Sequence, residues 1–283
     1  MTLYLNTILS PKLFPHPSTL RRSIVIVIDV FRATTTITTA LENGAKEIIP
    51  ALSLQEAEAK AKELRARFGE ASVLLCGERD GKKPTGFDLG NSPLEYIRPV
   101  VHDKTLVLST TNGTQALQVA SAAPLVIAAS FANVKAVARF VMRYLVLNEA
   151  RVMQTSGTDR DDGTTVQTAN HIDSIHAFCA GSEGDFSLED TLCAGALLEE
   201  LAGDLTTSEY AFTQSDTAKA ARSLYHSAGK IGEALGSTSH AQYLASIGFG
   251  ADVAFASELG SSRMIPLRRA DGSLIHWHNP LNL

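Results

Sequence analysis

IVIVIDVFRATTTITT, residues 24–39, decides the fold. Five consecutive aliphatics, Ile24 to Ile28, suit a strand buried on both faces, as in a parallel sheet covered by helices. Asp29 then stands where the strand leaves the sheet, the edge at which open α/β sheets bind ligands. Thr34, Thr35 and Thr36 fall in the first turn of the next helix, where unpaired N–H groups and the helix dipole favour an anion. Arg32 adds a planar fork of donors for phosphate or carboxylate. Asp29 beside such a pocket reads as a cation ligand or a nucleophile; alternatively Asp29 or a Thr simply caps the helix.

Outward from this stretch, short apolar runs alternate with amphipathic ones. Strands are expected at Ser23–Asp29, Glu47–Pro50, Val73–Cys76, Thr105–Ser109, Leu125–Ala128 and Ser174–Cys179. Helices are expected at Leu54–Phe68, Thr114–Ala122, Val134–Leu147, Leu188–Leu201 and Ser215–Ser227. The alternation predicts an α/β fold, a mainly parallel or mixed sheet flanked by helices in α/β/α layers, with the active site at the strand C-terminal ends. Residues 1–283 read as one unit, or as two close lobes with a break near 150–174. Gly157 to Asp173 is polar and aperiodic and reads as a mobile surface insertion. Its Asp159, Asp161 and Asp162 lack the Gly and distant Glu of a calcium loop.

A chain of 283 residues buries a sizeable core. Its net charge of −5, with both signs interspersed, argues against a nucleic-acid surface. No apolar run approaches the roughly 20 residues of a membrane span, and the N-terminus lacks a signal-type pattern. A cytoplasmic protein with small-molecule partners is the expectation, with a homodimer left open. Cys76, Cys179 and Cys193 form no CxxC pair and read as small buried hydrophobes.

Three further polar clusters follow expected strands. Gly77-Glu78-Arg79 leads through Gly81-Lys82-Lys83 into GFDLGNSP, residues 86–93. Thr110-Thr111-Asn112-Gly113-Thr114 opens a helix, and Ser182-Glu183-Gly184 precedes Phe186-Ser187-Leu188-Glu189-Asp190. Each has an ordinary explanation: an N-cap, a turn before a Pro-started helix, acids at a helix N-terminus. Several acids beside Gly-rich loops at strand ends are nevertheless a set that needs a cation to hold it.

IDVFRATTTI, GERDGKKPTGFDLGNSP, STTNGT and CAGSEGDFSLEDTLCAG, in this order and spacing, resemble the 2-phosphosulfolactate phosphatase family, magnesium-dependent phosphatases first linked to coenzyme M biosynthesis. The likeness extends to HAQYLASIGFGADVAFA and MIPL near the C-terminus. It departs at His240-Ala241, where His-Gly is expected, and at the 157–173 insertion, which would alter a lid or an oligomer contact.

The resemblance implies hydrolysis of the phosphate monoester of 2-phosphosulfolactate with Mg²⁺. On this reading Asp29, Glu78, Glu189 and Asp190 are the candidate metal ligands, an oxygen-only set suited to Mg²⁺. Arg32 and Arg79, with Lys82 a weaker candidate, would clamp the acid groups. Thr34, Thr35, Asn112, Gly113 and Thr114 would donate to the phosphoryl oxygens. Covalent phosphatase signatures are missing. Cys-x5-Arg fails because Lys82, Asp185 and Glu199 stand where Arg is required, and Phe31 occupies the second position of an Asp-x-Asp pattern. A metal-activated water with Glu189 or Asp190 as base is favoured, with Asp29 kept as a possible nucleophile. The alternatives are a phosphatase for another small 2-phospho acid and a non-catalytic binder of an anionic metabolite. Gly248-Phe249-Gly250 lacks the third Gly of a dinucleotide site.

Overall fold

A computed structural model describes residues 2–155, 171–206 and 210–277. Most of the insertion from 157 to 173 lies outside the described residues. Along the chain run β1 (Thr2–Ile8), β2 (Ser23–Ile28), α1 (Ala33–Glu42), β3 (Glu47–Pro50), α2 (Leu54–Phe68), β4 (Val73–Gly77) and α3 (Arg98–Val101). Then come β5 (Thr105–Ser109), α4 (Gly113–Val119), β6 (Leu125–Ala129), α5 (Val134–Thr155), β7 (Ser174–Cys179), α6 (Leu188–Thr206), β8 (Ala211–Gln214) and α7 (Asp216–Ser227). The chain closes with α8 (Ile231–Gly236), α9 (Ser239–Ser246), α10 (Gly250–Ala256), β9 (Pro266–Arg268) and β10 (Leu274–His276).

The strands form one ten-stranded sheet in the order β4-β5-β3-β10-β9-β6-β2-β7-β1-β8. Every pairing within β4-β5-β3 and within β6-β2-β7-β1-β8 is parallel. The short β9–β10 hairpin joins the two parallel sets by antiparallel pairings. The fold is thus the α/β class with a mixed, mostly parallel sheet. Arg269 ties the hairpin to β3 through an ion pair with Glu47.

The aliphatic run of β2 explains the layering. Ile24, Ile26 and Ile28 enter one core with Val134, Val137 and Val141 of α5 and Leu197 and Leu201 of α6. Val25 and Val27 enter the opposite core with Ile37 and Ala40 of α1 and Ala116 and Leu117 of α4. All five side chains are 0% exposed, and burial of each contributes about 1.5–3 kcal/mol. Leu106 and Leu108 of β5 share that second core. Strands of both parallel sets therefore pack on α1 and α4, and the loops after β2, β4 and β5 converge although four strands lie between β5 and β2.

α2 shows why the sequence marks some elements sharply. Ser53 accepts the Glu56 N–H as N-cap, Ala57, Ala61 and Leu64 form the buried stripe, and Gly69 at φ +96° ends the helix.

Candidate active site

The loops at the C-terminal ends of β2, β4, β5 and β7 wall a cavity of about 660 Å³, roofed on one side by α9 and the loop before it. Its carboxylates are Asp29, Glu78, Asp80, Glu183 and Glu189; its basic groups are Arg32 and His240.

Asp29 sits one residue past β2 and is 5% exposed. Its Oδ1 accepts the Ala33 N–H at 3.3 Å. Asp29 thus both accepts an N–H of the first turn of α1 and lines the cavity. Burial lifts its pKa to about 6; His240 and the Ala33 N–H pull it down, while Glu78 and Glu189 push it up. Gly113 lies flush against it: a Cβ there would meet Asp29 Oδ2 at 2.8 Å and the Ala33 methyl still closer. The Phe31–Arg32 peptide is cis.

Glu78 is held from two sides. Thr111 donates its N–H and hydroxyl to Oε1 at 2.7 and 2.9 Å, and the Gly81 N–H donates to Oε2 at 3.0 Å. Glu189, in the first turn of α6, is 3% exposed and meets His240 Nδ1 at 3.0 Å. The His240 ring also packs edge-on against Phe31.

Arg32 reaches the cavity wall with part of its fork committed. Nη1 donates to Asp252 at 2.8 Å in a pair whose side chains are each 2% exposed. Nη2 donates to the Gly81 carbonyl, and the guanidinium stacks 4.4 Å from the Phe249 ring centroid. Two similar tight turns flank the opening. Asp80 and Gly81 between Arg79 and Lys82, and Glu183 and Gly184 between Ser182 and Asp185, all have positive φ, as the two central residues of a type I′ turn require. Tyr243 of α9 donates its hydroxyl to the Asp80 carbonyl.

Several residues expected at the site are placed elsewhere. Asp190 does not line the cavity. Its Oδ1 accepts the Val30 N–H at 2.8 Å and its Oδ2 the Gly181 N–H at 3.0 Å, so it braces the loops after β2 and β7. Burial and the charges of Asp29 and Glu189 push its pKa well up against those two bonds. Arg79 turns away to Ser109, donating to its hydroxyl at 3.0 Å, and also bonds the Glu78 carbonyl. Lys82 is exposed and off the cavity.

Thr34 and Thr35 are fully buried; their hydroxyls donate to the Asp29 and Val30 carbonyls. Thr114 exchanges bonds with Thr110. Thr34, Thr35 and Thr114 are not among the residues that line the cavity, whereas Thr110 is. Gly113 packs against Asp29 and Ala33 and is not among the lining residues. Asn112 does line the cavity, with Oδ1 accepting the Glu183 N–H. The cysteines are buried and unpaired, and burial pushes the Cys76 thiol up to about 12. His240, Thr111, Asn91 and Tyr243 were not anticipated as cavity residues. The HAQY and GNSP segments that carry three of them were visible only as patterns.

Fold and site together define an α/β enzyme with its carboxylates gathered at strand C-termini. A model of the family described as 2-phosphosulpholactate phosphatase matches residues 8–271. A probable 2-phosphosulfolactate phosphatase of Clostridium perfringens is 40% identical over 238 residues, 84% of this chain and 83% of that protein. A Thermotoga petrophila protein of the same description is 40% identical over 243 residues, 85% of this chain and 87% of its own. One from Pseudothermotoga lettingae is 35% identical over 255 residues, covering 89% and 92%. The chain belongs to the 2-phosphosulfolactate phosphatase family.

Proposed function

We propose that this protein hydrolyses the phosphate monoester of 2-phosphosulfolactate to sulfolactate and inorganic phosphate. The observation that carries the reading is the convergence of Asp29, Glu78 and Glu189 with Arg32 and His240 on one cavity. Phosphoryl transfer asks an enzyme chiefly for positioning and for charge placed around the phosphoryl oxygens. A cavity with five carboxylates against Arg32 and His240 repels a multiply anionic ester unless a cation joins it.

Mg²⁺ fits the chemistry of this donor set, which is oxygen-only on the acid side and crowded enough that Glu78 and Glu189 raise the Asp29 pKa. Among the described residues no three acidic, His or Cys groups are close enough to hold a metal unaided. Mg²⁺ ordinarily uses one or two carboxylates together with waters and substrate phosphate. Asp29 and Glu189 would hold it, with Glu78 behind them. Bound there, it would neutralise charge developing on the phosphoryl oxygens and acidify a water.

The chain's own groups do the rest. Arg32, clamped by Asp252 and Phe249, presents its remaining N–H donors without having to reorganise. Glu189, oriented by His240, accepts the proton of the attacking water. Asp190, whose two oxygens accept the Val30 and Gly181 N–H groups, supports the loops behind Glu189 in this reading. The same reading gives the protein a cytoplasmic role of the kind linked to coenzyme M formation. Among the described residues, no helix is long and apolar enough to cross a membrane.

The test is inorganic phosphate released from 2-phosphosulfolactate, phospholactate and phosphoglycolate, with Mg²⁺ and after EDTA. Mg²⁺-dependent release favouring the sulfonated ester supports the proposal. Equal rates on all three would remove the substrate name, and no release would return the protein to the class of binders.

A further inference from the structure

Asn91 belongs to the Gly90-Asn91-Ser92 loop, which the sequence presents as an ordinary turn. The loop is pinned at every residue. Gly90 accepts the Tyr96 hydroxyl and donates its N–H to Glu95, the Asn91 carbonyl accepts the Thr36 hydroxyl at 2.7 Å, and the Ser92 hydroxyl donates to Asp252 at 2.6 Å. Only the Asn91 carboxamide makes no bond. The residue is 4% exposed and lines the cavity, and its Oδ1 is buried without a partner.

A buried polar atom left unpaired in an otherwise satisfied loop calls for an explanation. Turning the amide over would bury two N–H donors instead of one acceptor, so the orientation that leaves Nδ2 on the cavity is the better one. Arg32 is its neighbour on that wall, because Arg32 and Ser92 take the two oxygens of the same Asp252 carboxylate. Arg32 and Asn91 thus bring N–H donors side by side onto one stretch of the cavity wall.

The geometry points to Asn91 as a substrate-binding, specificity-determining residue. Its Nδ2 donates, beside Arg32, to a non-reacting acid group of the ester, the carboxylate or the sulfonate. This rests on the proposed phosphatase activity and says where the rest of the substrate lies. A phosphoryl group drawn to the carboxylates by a cation leaves a non-reacting anion to the donors of Arg32 and Asn91. A neutral amide there contributes a hydrogen bond without adding charge.

The test compares kcat/KM on 2-phosphosulfolactate, phospholactate and phenyl phosphate, which lacks both acid groups, for wild type, Asn91→Ala and the isosteric Asn91→Asp. Wild-type turnover of 2-phosphosulfolactate tests the phosphatase reading by itself; the preference ratios test Asn91. In Asn91→Ala the preference for 2-phosphosulfolactate over phenyl phosphate should fall at least about tenfold, the size of one bond to a charged group, chiefly through KM. Asn91→Asp, which sets a carboxylate against the anion, should fall further. A loss shared by phospholactate assigns the contact to the carboxylate, and a loss confined to the sulfonated ester assigns it to the sulfonate. Equal losses on all three esters, unchanged ratios in Asn91→Asp, or failure of both variants to fold would overturn the assignment.

Discussion

Gly113→Ala is the sharpest single perturbation of this site. The added Cβ would stand 2.8 Å from Asp29 Oδ2, more than half an ångström inside ordinary contact at 3.4–4 Å, and on the Ala33 methyl. Neither neighbour can yield cheaply. Asp29 is held by the Ala33 N–H, and Ala33 opens α1, whose first turn is bonded back to the Asp29 and Val30 carbonyls. The starts of α1 and α4 must separate, carrying Asp29 with them. Overpacking of this kind costs about 1–3 kcal/mol of stability, whereas a 1 Å misplacement at a reacting centre costs about a hundredfold in rate. The variant should therefore melt only a few degrees lower while kcat for phosphate release falls about a hundredfold. Thermal unfolding and steady-state phosphate release on one preparation decide it. Wild-type kcat with wild-type melting would refute the close packing of α4 on Asp29.

Asp29→Asn should be inactive yet more stable than wild type in metal-free buffer. Because the folded pKa of about 6 lies above the ordinary aspartate value of 3.8, the folded chain holds this proton more tightly. The resulting penalty is absent below about pH 4, grows through pH 6 and is full above it, on the order of 2 to 3 kcal/mol. Melting temperatures of both proteins at pH 4.5 and 7.5 check the sign, the gap being expected to widen severalfold at the higher pH. Asp190→Ala leaves the Val30 and Gly181 N–H groups buried without partners, at about 1–3 kcal/mol each. Its melting temperature should fall equally with and without Mg²⁺, whereas a loss seen only with Mg²⁺ would make Asp190 a ligand after all. Arg79→Ala should leave KM within about twofold, since its guanidinium is spent on Ser109 and the Glu78 carbonyl and a clamp on a charged group would be worth more than that. A tenfold rise in KM would restore it as a clamp.

What the sequence made legible follows the strength of its periodic signals. β3, β5, β7 and α2 have the expected bounds, because β-branched runs and a capped, amphipathic helix are local properties. β9 and β10 are three residues each, too short to show a period, and exist through pairing with β6 and β3. β1 alternates outside and inside over Thr2–Thr7, a signal that was present and missed. At the site, Asp29 and Glu78 were legible as acids just past strands and Glu189 as an acid in a helix's first turn. Between Glu189 and Asp190 the sequence leaves the choice open; adjacent helical residues face different ways, and here only Glu189 lines the cavity. The Thr34 and Thr35 hydroxyls of α1 bond nearby carbonyls, a use that sequence does not separate from ligand donation. The Arg32–Asp252 pair spans 220 positions, and no local pattern announces such a contact.

The central claim is tested most directly by phosphate release from 2-phosphosulfolactate with Mg²⁺, wild type beside Asp29→Asn. Rapid release by the wild type and a rate about a thousandfold lower in the variant are the expected results, as when a transition-state group is removed. Comparable rates in the two proteins, or no release by the wild type, would contradict it.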